Sequence, residues 1–318
     1  MNKIPVVAVV GPTASGKSDL AVEICRRFGG EAVSADSMQI YKGLDISTAK
    51  PTEEEKKGVP HHMMDFLDTR DSFSVAEYQS MAGECIKEIH SRGKLPVIVG
   101  GTGLYIDNLL NNIRLTEASF DEALREKLLK RVEDEGIDAL LAELEKIDPG
   151  YAAKMHPNNV KRIVRALEVW YSSGVTMTEQ IANSHAESPY EVLYIGLDAQ
   201  DRDFLYNRIN MRVDIMLANG PEAEARDYLS QPDMSTSSQA IGCKELKPYF
   251  EGGMSLVQAA ENLKQATRRY AKRQLTWFRR NKEINWLFID TFPSKDAMYE
   301  EAFRITEEWE RRLQNVQG

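Results

Sequence analysis

Residues 11–18, GPTASGKS, limit the possible folds of this chain more than any other stretch of its sequence. They follow the apolar run Val6–Val10 and precede the helical pattern Asp19–Phe28. This strand, loop and helix setting is what the phosphate-binding motif G-x-x-x-x-G-K-[ST] requires, with Lys17 bridging two phosphates and Ser18 offering its hydroxyl to Mg²⁺. Glycines let the backbone wrap a phosphate closely, so that its N–H groups point at the anion. The motif predicts a di- or triphosphate site, and a glycine-rich turn without a ligand is the alternative.

Composition places the chain among ordinary globular proteins. Its 318 residues are 42% hydrophobic and 28% charged, enough for one large domain or for two. No apolar run approaches the roughly 20 residues of a membrane span, and the first residues lack a secretory signal pattern. Three widely spaced cysteines, Cys25, Cys85 and Cys243, favour free thiols over a disulfide or zinc site. We expect a cytoplasmic protein with no membrane contact and no obligate protein partner.

Basic residues are concentrated in one part of the chain. The formal net charge is −9, yet the stretch Lys264–Lys282 carries eight lysines and arginines and no acidic residue. Aromatic residues are interleaved with the basic ones between Arg268 and Arg280. Cations can neutralise phosphates while aromatic rings stack on bases or pack inward. The stretch favours nucleic-acid binding, and the alternative is a solvated basic helix face above an aromatic core.

The apolar pattern predicts an α/β fold with a parallel-sheet core of the P-loop type. Short β-rich runs that alternate with helical patterns are typical of parallel strands covered by helices. The predicted strands are Val6–Val10, Glu31–Ala35, Leu95–Val99, Glu191–Asp198 and Ile284–Ile289. The predicted helices are Asp19–Phe28, Glu77–Ser91, Arg202–Leu217, Ala223–Leu229, Leu256–Arg280 and Lys295–Leu313.

The middle of the chain has a different hydrophobic pattern. From about Glu117 to Ser184 it shows helical periodicity and no convincing strand, as in Val160–Ser172. We therefore predict a mostly helical insertion domain over residues 117–189. Residues 1–116 and 190–318 would form the core, including the basic helices near the carboxyl terminus.

Asp36 and Thr102 are predicted to lie beside the phosphate loop. Each follows a predicted strand, and ligands of parallel sheets gather at the carboxyl ends of strands. A carboxylate at this edge can ligate Mg²⁺ or accept a proton from a nucleophile, whereas the alternative is that Asp36 caps the following turn. After Leu95–Val99 the chain has Gly-Gly-Thr-Gly instead of the acid of typical P-loop ATPases. Asp36 is therefore the available carboxylate.

Two other residue pairs stand out. Arg208 and Arg212 are four residues apart and share one helix face, from which they could hold a pyrophosphate opposite the loop or pair with nearby acids. His61 and His62 are interpreted as structural. Adjacent side chains diverge, and the sequence has no suitably spaced third metal ligand.

Eight blocks of sequence carry a more specific signal than any single motif. They occur in order from Gly11 to about Arg280 and together resemble the bacterial tRNA dimethylallyltransferase family. The blocks are Gly11–Ser18 (GPTASGKS), Ser34–Gly43 (SADSMQIYKG), Asp45–Pro51 (DISTAKP), Pro60–Asp65 (PHHMMD), Gly100–Tyr105 (GGTGLY), His156–Leu167 (HPNNVKRIVRAL), Gln239–Leu246 (QAIGCKEL) and Ala271–Arg279 (AKRQLTWFR).

The resemblance implies a reaction and its substrates. Dimethylallyl diphosphate would donate its dimethylallyl group to the exocyclic amine of the adenosine 3′-adjacent to the anticodon, in tRNAs that read codons beginning with U. Diphosphate would be released, with Mg²⁺ as cofactor on Ser18. Asp36 would act as general base, and Thr102 and Arg212 would also be catalytic.

The resemblance also implies two sets of binding residues. Those for the diphosphate would be Gly11, Thr13, Ala14, Ser15, Gly16, Lys17, Ser18 and Arg212. Those for the tRNA anticodon stem-loop would be Asp36, Ser37, Met38, Gln39, Thr102, Lys161, Arg162, Gln239, Lys244, Lys272, Arg273 and Arg279. The helical insertion would fold over the anticodon loop.

Two positions depart from the family pattern, which has tyrosine at Cys243 and leucine at Pro221. Both affect local contacts only, because the catalytic blocks are intact. The alternatives to this function are an adenylate prenyltransferase, which does not need the basic stretch, a small-molecule kinase of P-loop fold, and a non-enzymatic RNA-binding module.

Overall fold

The computed structural model describes residues 3–113, 121–184, 186–220, 224–226 and 241–317. The chain divides into two compact units. The first comprises Met1–Leu110 together with Ser188–Gly318, and the second comprises Asn111–Glu187. Each unit has its own hydrophobic core, so each is described separately.

A six-stranded sheet forms the centre of the first unit. All neighbouring strands are parallel, in the spatial order β3, β2, β4, β1, β5, β6. The strands are β1 (Ile4–Val10), β2 (Gly30–Ser34), β3 (His61–His62), β4 (Leu95–Gly100), β5 (Tyr190–Asp198) and β6 (Asn285–Phe288). The predicted α/β fold with a parallel sheet is confirmed. Every predicted strand forms, and the two-residue strand β3 was not predicted.

The central strand β1 explains why its sequence is an uninterrupted apolar run. Val7 lies between Val97 of β4 and Leu193 of β5, and Val6–Val10 are fully buried. A strand with a neighbour on each side and helices over both faces has no surface left for polar side chains. The carboxyl ends of β1, β2 and β4 consequently lie side by side at one edge of the sheet.

The helices connect and cover these strands. They are α1 (Lys17–Phe28), α2 (Asp45–Thr48), α3 (Glu53–Lys56), α4 (Val75–Ser91), α5 (Gly103–Leu110), α6 (Glu122–Glu135), α7 (Ile137–Ile147), α8 (Pro149–Ala152), α9 (Val160–Ser173), α10 (Met177–Asn183), α11 (Arg202–Ala218), α12 (Cys243–Phe250), α13 (Leu256–Phe278) and α14 (Lys295–Gln317). The short helices α2, α3 and α5 and the helix α12 were not predicted. Of the predicted helix Ala223–Leu229, only residues 224–226 are described, and they are helical.

Helix α4 begins two residues before the predicted start because of its cap. The Ser74 hydroxyl accepts a hydrogen bond from the Glu77 N–H (3.2 Å), and the Glu77 carboxylate accepts one from the Ser74 N–H (2.7 Å). This reciprocal capping box satisfies donors that the first turn leaves without partners. The predicted end of α1 is confirmed, since Gly29 adopts the left-handed conformation (φ 66°) and its N–H bonds to the Cys25 carbonyl.

The two faces of the sheet bury separate cores. Val6, Ala8 and Val10 of β1 pack with residues of α4 and α5, whereas Val7 and Val9 pack with residues of α1 and α14. Alternate residues of a strand point to opposite faces, so each core receives every second side chain of β1. Packing on both faces holds the carboxyl edge of the sheet in place.

The second unit is built from α6 to α10, and its described residues contain no strand of the sheet. Its core includes Leu128 of α6, Leu140 of α7, and Ile163 and Leu167 of α9, all nearly or fully inaccessible to solvent. Lys161 and Arg162 lie exposed in the first turn of α9. In the part of the chain that the structure describes, no helix combines the length and the apolarity needed to cross a membrane.

Candidate active site

A cavity of about 380 Å³ opens at the carboxyl edge of the sheet. Its walls come from the phosphate loop, from the residues after β2 and β4, and from α11 and α13. Ten of the predicted site residues line it. They are Thr13, Lys17, Ser18, Asp36, Ser37, Met38, Gln39, Arg212, Lys244 and Arg273.

The phosphate loop needs glycine at both of its ends. A Cβ on Gly11 would lie 2.7 Å from the Leu197 carbonyl oxygen, and Gly11 also has a positive φ of 152°. Gly16 stands just before α1 with φ 93°, in a region that other residues rarely adopt. Ser15 is 2% exposed, and its hydroxyl has no hydrogen-bond partner in the described structure. The loop is therefore a tight turn that leads into the amino end of α1.

Two partly buried cations, Lys17 and Arg212, line this cavity. The Lys17 Nζ donates to the Pro12 carbonyl oxygen (3.3 Å). Burial, followed by the nearby Arg212 cation, lowers the pKa of Lys17 to about 8, and Asp36 partly opposes both effects. Burial also lowers the pKa of Arg212, again with Asp36 opposing. Because Asp36 is the common anion of both cations, the site has an excess of positive charge suited to a multiply charged anion.

Asp36 caps a turn and also lines the cavity. Its Oδ1 accepts a hydrogen bond from the Met38 N–H (3.0 Å). Among the described residues, no hydrogen bond reaches its Oδ2. The capping interpretation and the chemical one are thus compatible, because each uses a different oxygen. The cap fixes the carboxylate at the cavity wall.

Thr102 holds the neighbouring backbone. Its hydroxyl oxygen accepts a hydrogen bond from the Ser37 N–H (3.0 Å), and its own N–H donates to the Ala35 carbonyl oxygen (3.1 Å). The ends of β2 and β4 approach so closely that a Cβ on Gly100 would lie 2.2 Å from the Ala35 carbonyl oxygen. The Gly-Gly-Thr-Gly turn therefore serves close backbone packing and brings Thr102 beside the residues that follow β2.

Helix α13 separates its cations from most of its aromatic rings. Lys272 and Arg273 are exposed, and Phe278 is buried. The Trp277 Nε1–H donates to Asp107 (2.7 Å). Tyr270 lines the cavity, and burial raises its pKa. The basic stretch is thus an exposed charged face above packed rings.

Arg279 and Arg208 have partners within the protein. Arg279 donates to Asp198 (2.6 Å), a carboxylate with only 2% of its side chain exposed, while about half of the Arg279 side chain remains exposed. The Arg208 Nε–H donates to the Ala14 carbonyl oxygen (2.8 Å), so this guanidinium braces the phosphate loop. The two arginines of α11 therefore differ, because Arg212 lines the cavity and Arg208 supports the loop behind it.

Two residues that were not predicted from the sequence hold the wall formed by α2. The Glu224 carboxylate accepts hydrogen bonds from the N–H groups of Asp45, Ile46 and Ser47 (2.8 to 2.9 Å). Lys50, with 5% of its side chain exposed, pairs with Asp45 at 2.7 Å and with Asp65. Lys50 and Asp65 belong to two of the eight sequence blocks, and a single sequence does not reveal that they are in contact.

The remaining predicted residues lie elsewhere. Lys161 and Arg162 belong to the second unit, and Lys272 and Arg279 are outside the cavity lining. Gln239, Pro221 and the side chain of Cys243 lie outside the described part of the chain.

The two histidines make contacts of the structural kind. His62 Nε2 lies 2.7 Å from Glu31, and His61 Nδ1 lies 2.8 Å from the Val59 carbonyl oxygen. His61 also lines the cavity, and burial lowers its pKa. The described residues contain no group of three or more His, Cys, Asp or Glu side chains able to hold a metal.

Comparison with known proteins assigns this site to a family. A model of the IPP transferase family matches residues 39–281. A tRNA dimethylallyltransferase of Bacillus subtilis (strain 168) is 51% identical over 297 residues, covering 93% of each chain. Another, from Caldanaerobacter subterraneus subsp. tengcongensis, is 45% identical and covers 94% of this chain and 96% of that protein.

Solved structures show the same similarity to tRNA prenyltransferases. The full-length tRNA isopentenylpyrophosphate transferase of Bacillus halodurans is 42% identical, with a TM-score of 0.74 and 99% of both chains covered. A eukaryotic dimethylallyltransferase acting on tRNA is 32% identical, with a TM-score of 0.79 over 92% of this chain and 77% of that one. The resemblance found in the sequence is confirmed, and the chain belongs to the IPP transferase family, together with the tRNA dimethylallyltransferases.

Proposed function

We propose that this protein transfers a dimethylallyl group from dimethylallyl diphosphate to the exocyclic amine of the adenosine 3′-adjacent to the anticodon, in tRNAs that read codons beginning with U. One observation carries the proposal. The phosphate loop, the partly buried cations Lys17 and Arg212, and the carboxylate of Asp36 share one cavity. The relatives indicate the substrates, since they are tRNA dimethylallyltransferases.

The chemistry is an alkyl transfer. The amine nitrogen of adenine attacks the allylic carbon, the bond between that carbon and the diphosphate oxygen breaks, and diphosphate leaves with the bonding electrons. Lys17 and Arg212 stabilise the charge that develops on the departing diphosphate, together with the N–H groups of the loop. Asp36 accepts the proton that the amine loses. Carbon, rather than phosphorus, is therefore the atom attacked.

Adenine reaches this cavity only after leaving the anticodon stack. Extruding a base costs a few kcal/mol, which contacts to the pocket and to phosphates offset. Ser37, Met38 and Gln39 line the cavity next to Asp36 and suit an adenine pocket. Thr102 holds the backbone of Ser37, so we assign it to positioning the base.

Exposed cations fit the remaining contacts with tRNA. Lys272, Arg273 and Arg279 on or next to α13, and Lys244 of α12, would contact phosphates of the anticodon arm, with Gln239 nearby in sequence. In the second unit, the N-cap residue of α9, Asn159, makes no side-chain hydrogen bond that caps the helix, and Lys161 and Arg162 lie in the first turn. Two cations at the positive end of a helix are unfavourable unless an anion binds there, so a tRNA phosphate suits this position. We therefore assign the anticodon loop to the insertion domain of residues 117–189.

The residues of the loop fit Mg²⁺. Magnesium binds oxygen ligands, and in phosphate loops of this kind the Ser or Thr hydroxyl holds it together with the substrate phosphates. Ser18 supplies a hydroxyl oxygen at the cavity wall. Mg²⁺, when bound by Ser18 and the diphosphate, would neutralise charge on the leaving group.

The decisive experiment is incubation with labelled dimethylallyl diphosphate and a tRNA that reads a UNN codon, followed by nucleoside analysis. Label on the adenosine next to the anticodon is the expected result. Label on free adenylate and none on tRNA would indicate an adenylate prenyltransferase. Phosphate transfer from ATP without prenyl transfer would indicate a kinase, and tRNA binding without any reaction would indicate an RNA-binding module.

A further inference from the structure

Gln274 is a buried polar side chain that connects three parts of the site. It lies on α13 and is 5% exposed. Its Oε1 accepts a hydrogen bond from the Thr13 N–H of the phosphate loop (2.9 Å), and its Nε2 donates to the Gly101 carbonyl oxygen (3.0 Å). Gly101 belongs to the turn that carries Thr102. One carboxamide therefore joins the loop, the turn that carries Thr102, and α13.

Both bonds need the chemistry of a neutral amide. One end of the side chain must accept from a backbone N–H while the other end donates to a backbone carbonyl, and among side chains of this length an amide does both. A methionine would do neither, and a carboxylate would only accept. Without these bonds the partly buried Thr13 N–H and the buried Gly101 carbonyl would lose their present partners, which is costly away from water.

The surrounding packing leaves little freedom for this carboxamide. A Cβ added to Gly101 would lie 2.0 Å from the Gln274 Nε2 and 3.2 Å from its Cδ. The residue before Thr102 must therefore be glycine for the amide to occupy its place. The loop on the other side is equally constrained, because Gly11 cannot carry a Cβ next to the Leu197 carbonyl.

We propose that Gln274 is a positioning residue that sets the conformation of the phosphate loop through Thr13 and thereby determines the affinity for diphosphate. The inference rests on the proposed function, since it takes the loop as the diphosphate site. Gln274 stands next to the exposed Arg273 on the same helix. These adjacent residues connect the helix face proposed for tRNA with the phosphate loop proposed for diphosphate. Loss of Gln274 should impair diphosphate binding much more than RNA binding.

The test compares full-length Gln274→Met with the matched control Gln265→Met, which changes an exposed glutamine of the same helix. Calorimetry measures the binding of inorganic pyrophosphate at constant Mg²⁺ and of an anticodon stem-loop RNA. Gln274→Met should weaken pyrophosphate binding about tenfold or more, the usual effect of removing one partner of a buried hydrogen bond. Stem-loop affinity should stay within about twofold, well below that effect. Gln265→Met should change neither affinity.

Amide exchange gives a second readout of the same bond. The Thr13 N–H should exchange with solvent faster in Gln274→Met than in wild type, and at an unchanged rate in Gln265→Met. Unchanged pyrophosphate affinity in folded Gln274→Met would overturn the proposal. Equal losses of pyrophosphate and stem-loop affinity would also overturn it, because they would indicate a general structural role.

A second variant, Gly101→Ala, tests the same carboxamide from the side of its Nε2 atom. It replaces Gln274→Met in the experiment if that variant does not fold. Its Cβ should displace Nε2 and weaken pyrophosphate binding, whereas in a Gln274→Ala background the same change should have little further effect. Additive losses of affinity would contradict the proposal. Pyrophosphate binding does not require prenyl transfer, so a wild-type protein that binds pyrophosphate but moves no prenyl group would refute the proposed function and leave this test intact.

Discussion

The Lys17 ammonium and the Arg212 guanidinium line one cavity, and burial, followed by the charge of Arg212, lowers the pKa of Lys17 to about 8. The two cations repel each other, and Asp36 offsets this repulsion only in part until a further anion binds. The cavity is therefore strained electrostatically in the free protein and relieved by a diphosphate. This relationship leads to two predictions that depend on pH.

Dimethylallyl diphosphate should bind more weakly as pH rises through about 8, where Lys17 loses its proton. The neutral amine offers no charge to the diphosphate, so the dissociation constant should increase about tenfold per pH unit above that value. Calorimetry in the absence of tRNA measures this dissociation constant at each pH. Lys17→Met should bind weakly at every pH and lose this dependence, and an equal pH dependence in that variant would contradict the assignment to Lys17.

Lys17 should also make the free protein less stable below pH 8. Its pKa falls from an ordinary 10.5 to about 8 on folding, so the unfolded chain holds the proton more tightly. The destabilisation is complete below about 8 and disappears as pH approaches 10.5. Lys17→Met should therefore melt above wild type at neutral pH, with the difference shrinking in alkali. Lys87→Met, which changes an exposed lysine of α4, should show no such trend.

Replacing Asp36 should remove catalysis while preserving tRNA affinity. Asp36→Asn retains an oxygen for the Met38 N–H but cannot accept a proton, so turnover should fall about 10² to 10⁴-fold, the usual contribution of a general base. Asp36→Ala should abolish transfer. Single-turnover kinetics and stem-loop binding separate the two effects, with Asp134→Asn as an exposed control. Near-normal turnover in Asp36→Asn would refute the general-base role.

Removing two cations of α13 should weaken tRNA binding through its electrostatic part. Lys272→Ala combined with Arg273→Ala should lower the affinity and reduce the slope of log K against log salt by about one unit for each phosphate that is no longer neutralised. Filter binding over a range of salt concentrations measures the slope. As a control, Lys87→Ala with Lys94→Ala removes two exposed cations near the amino end of β4, opposite the cavity. This double variant should leave the slope unchanged. An unchanged slope in the first double variant would exclude this helix from the interface.

Much of the fold could be predicted from short stretches of the sequence. Val6–Val10 is buried on both faces, so hydrophobicity alone marks it as a central strand. The helix Val75–Ser91 was predicted with an error at its start, because the capping box that begins it depends on side-chain geometry. Strand β3 was missed because two histidines carry neither apolar alternation nor β-branched side chains.

Local sequence was sufficient to predict the parallel α/β core, the phosphate loop, the position of Asp36 at a strand end, and the basic face of α13. These features arise from neighbouring residues, whose periodicity and backbone requirements leave a local signature. The folded chain was needed to reveal that Gln274 bonds to Thr13, 261 residues away, that Glu224 holds α2, and that Arg208 braces the loop. Buried polar groups must find partners wherever the fold brings them, and such contacts between distant residues have no period that a single sequence could display.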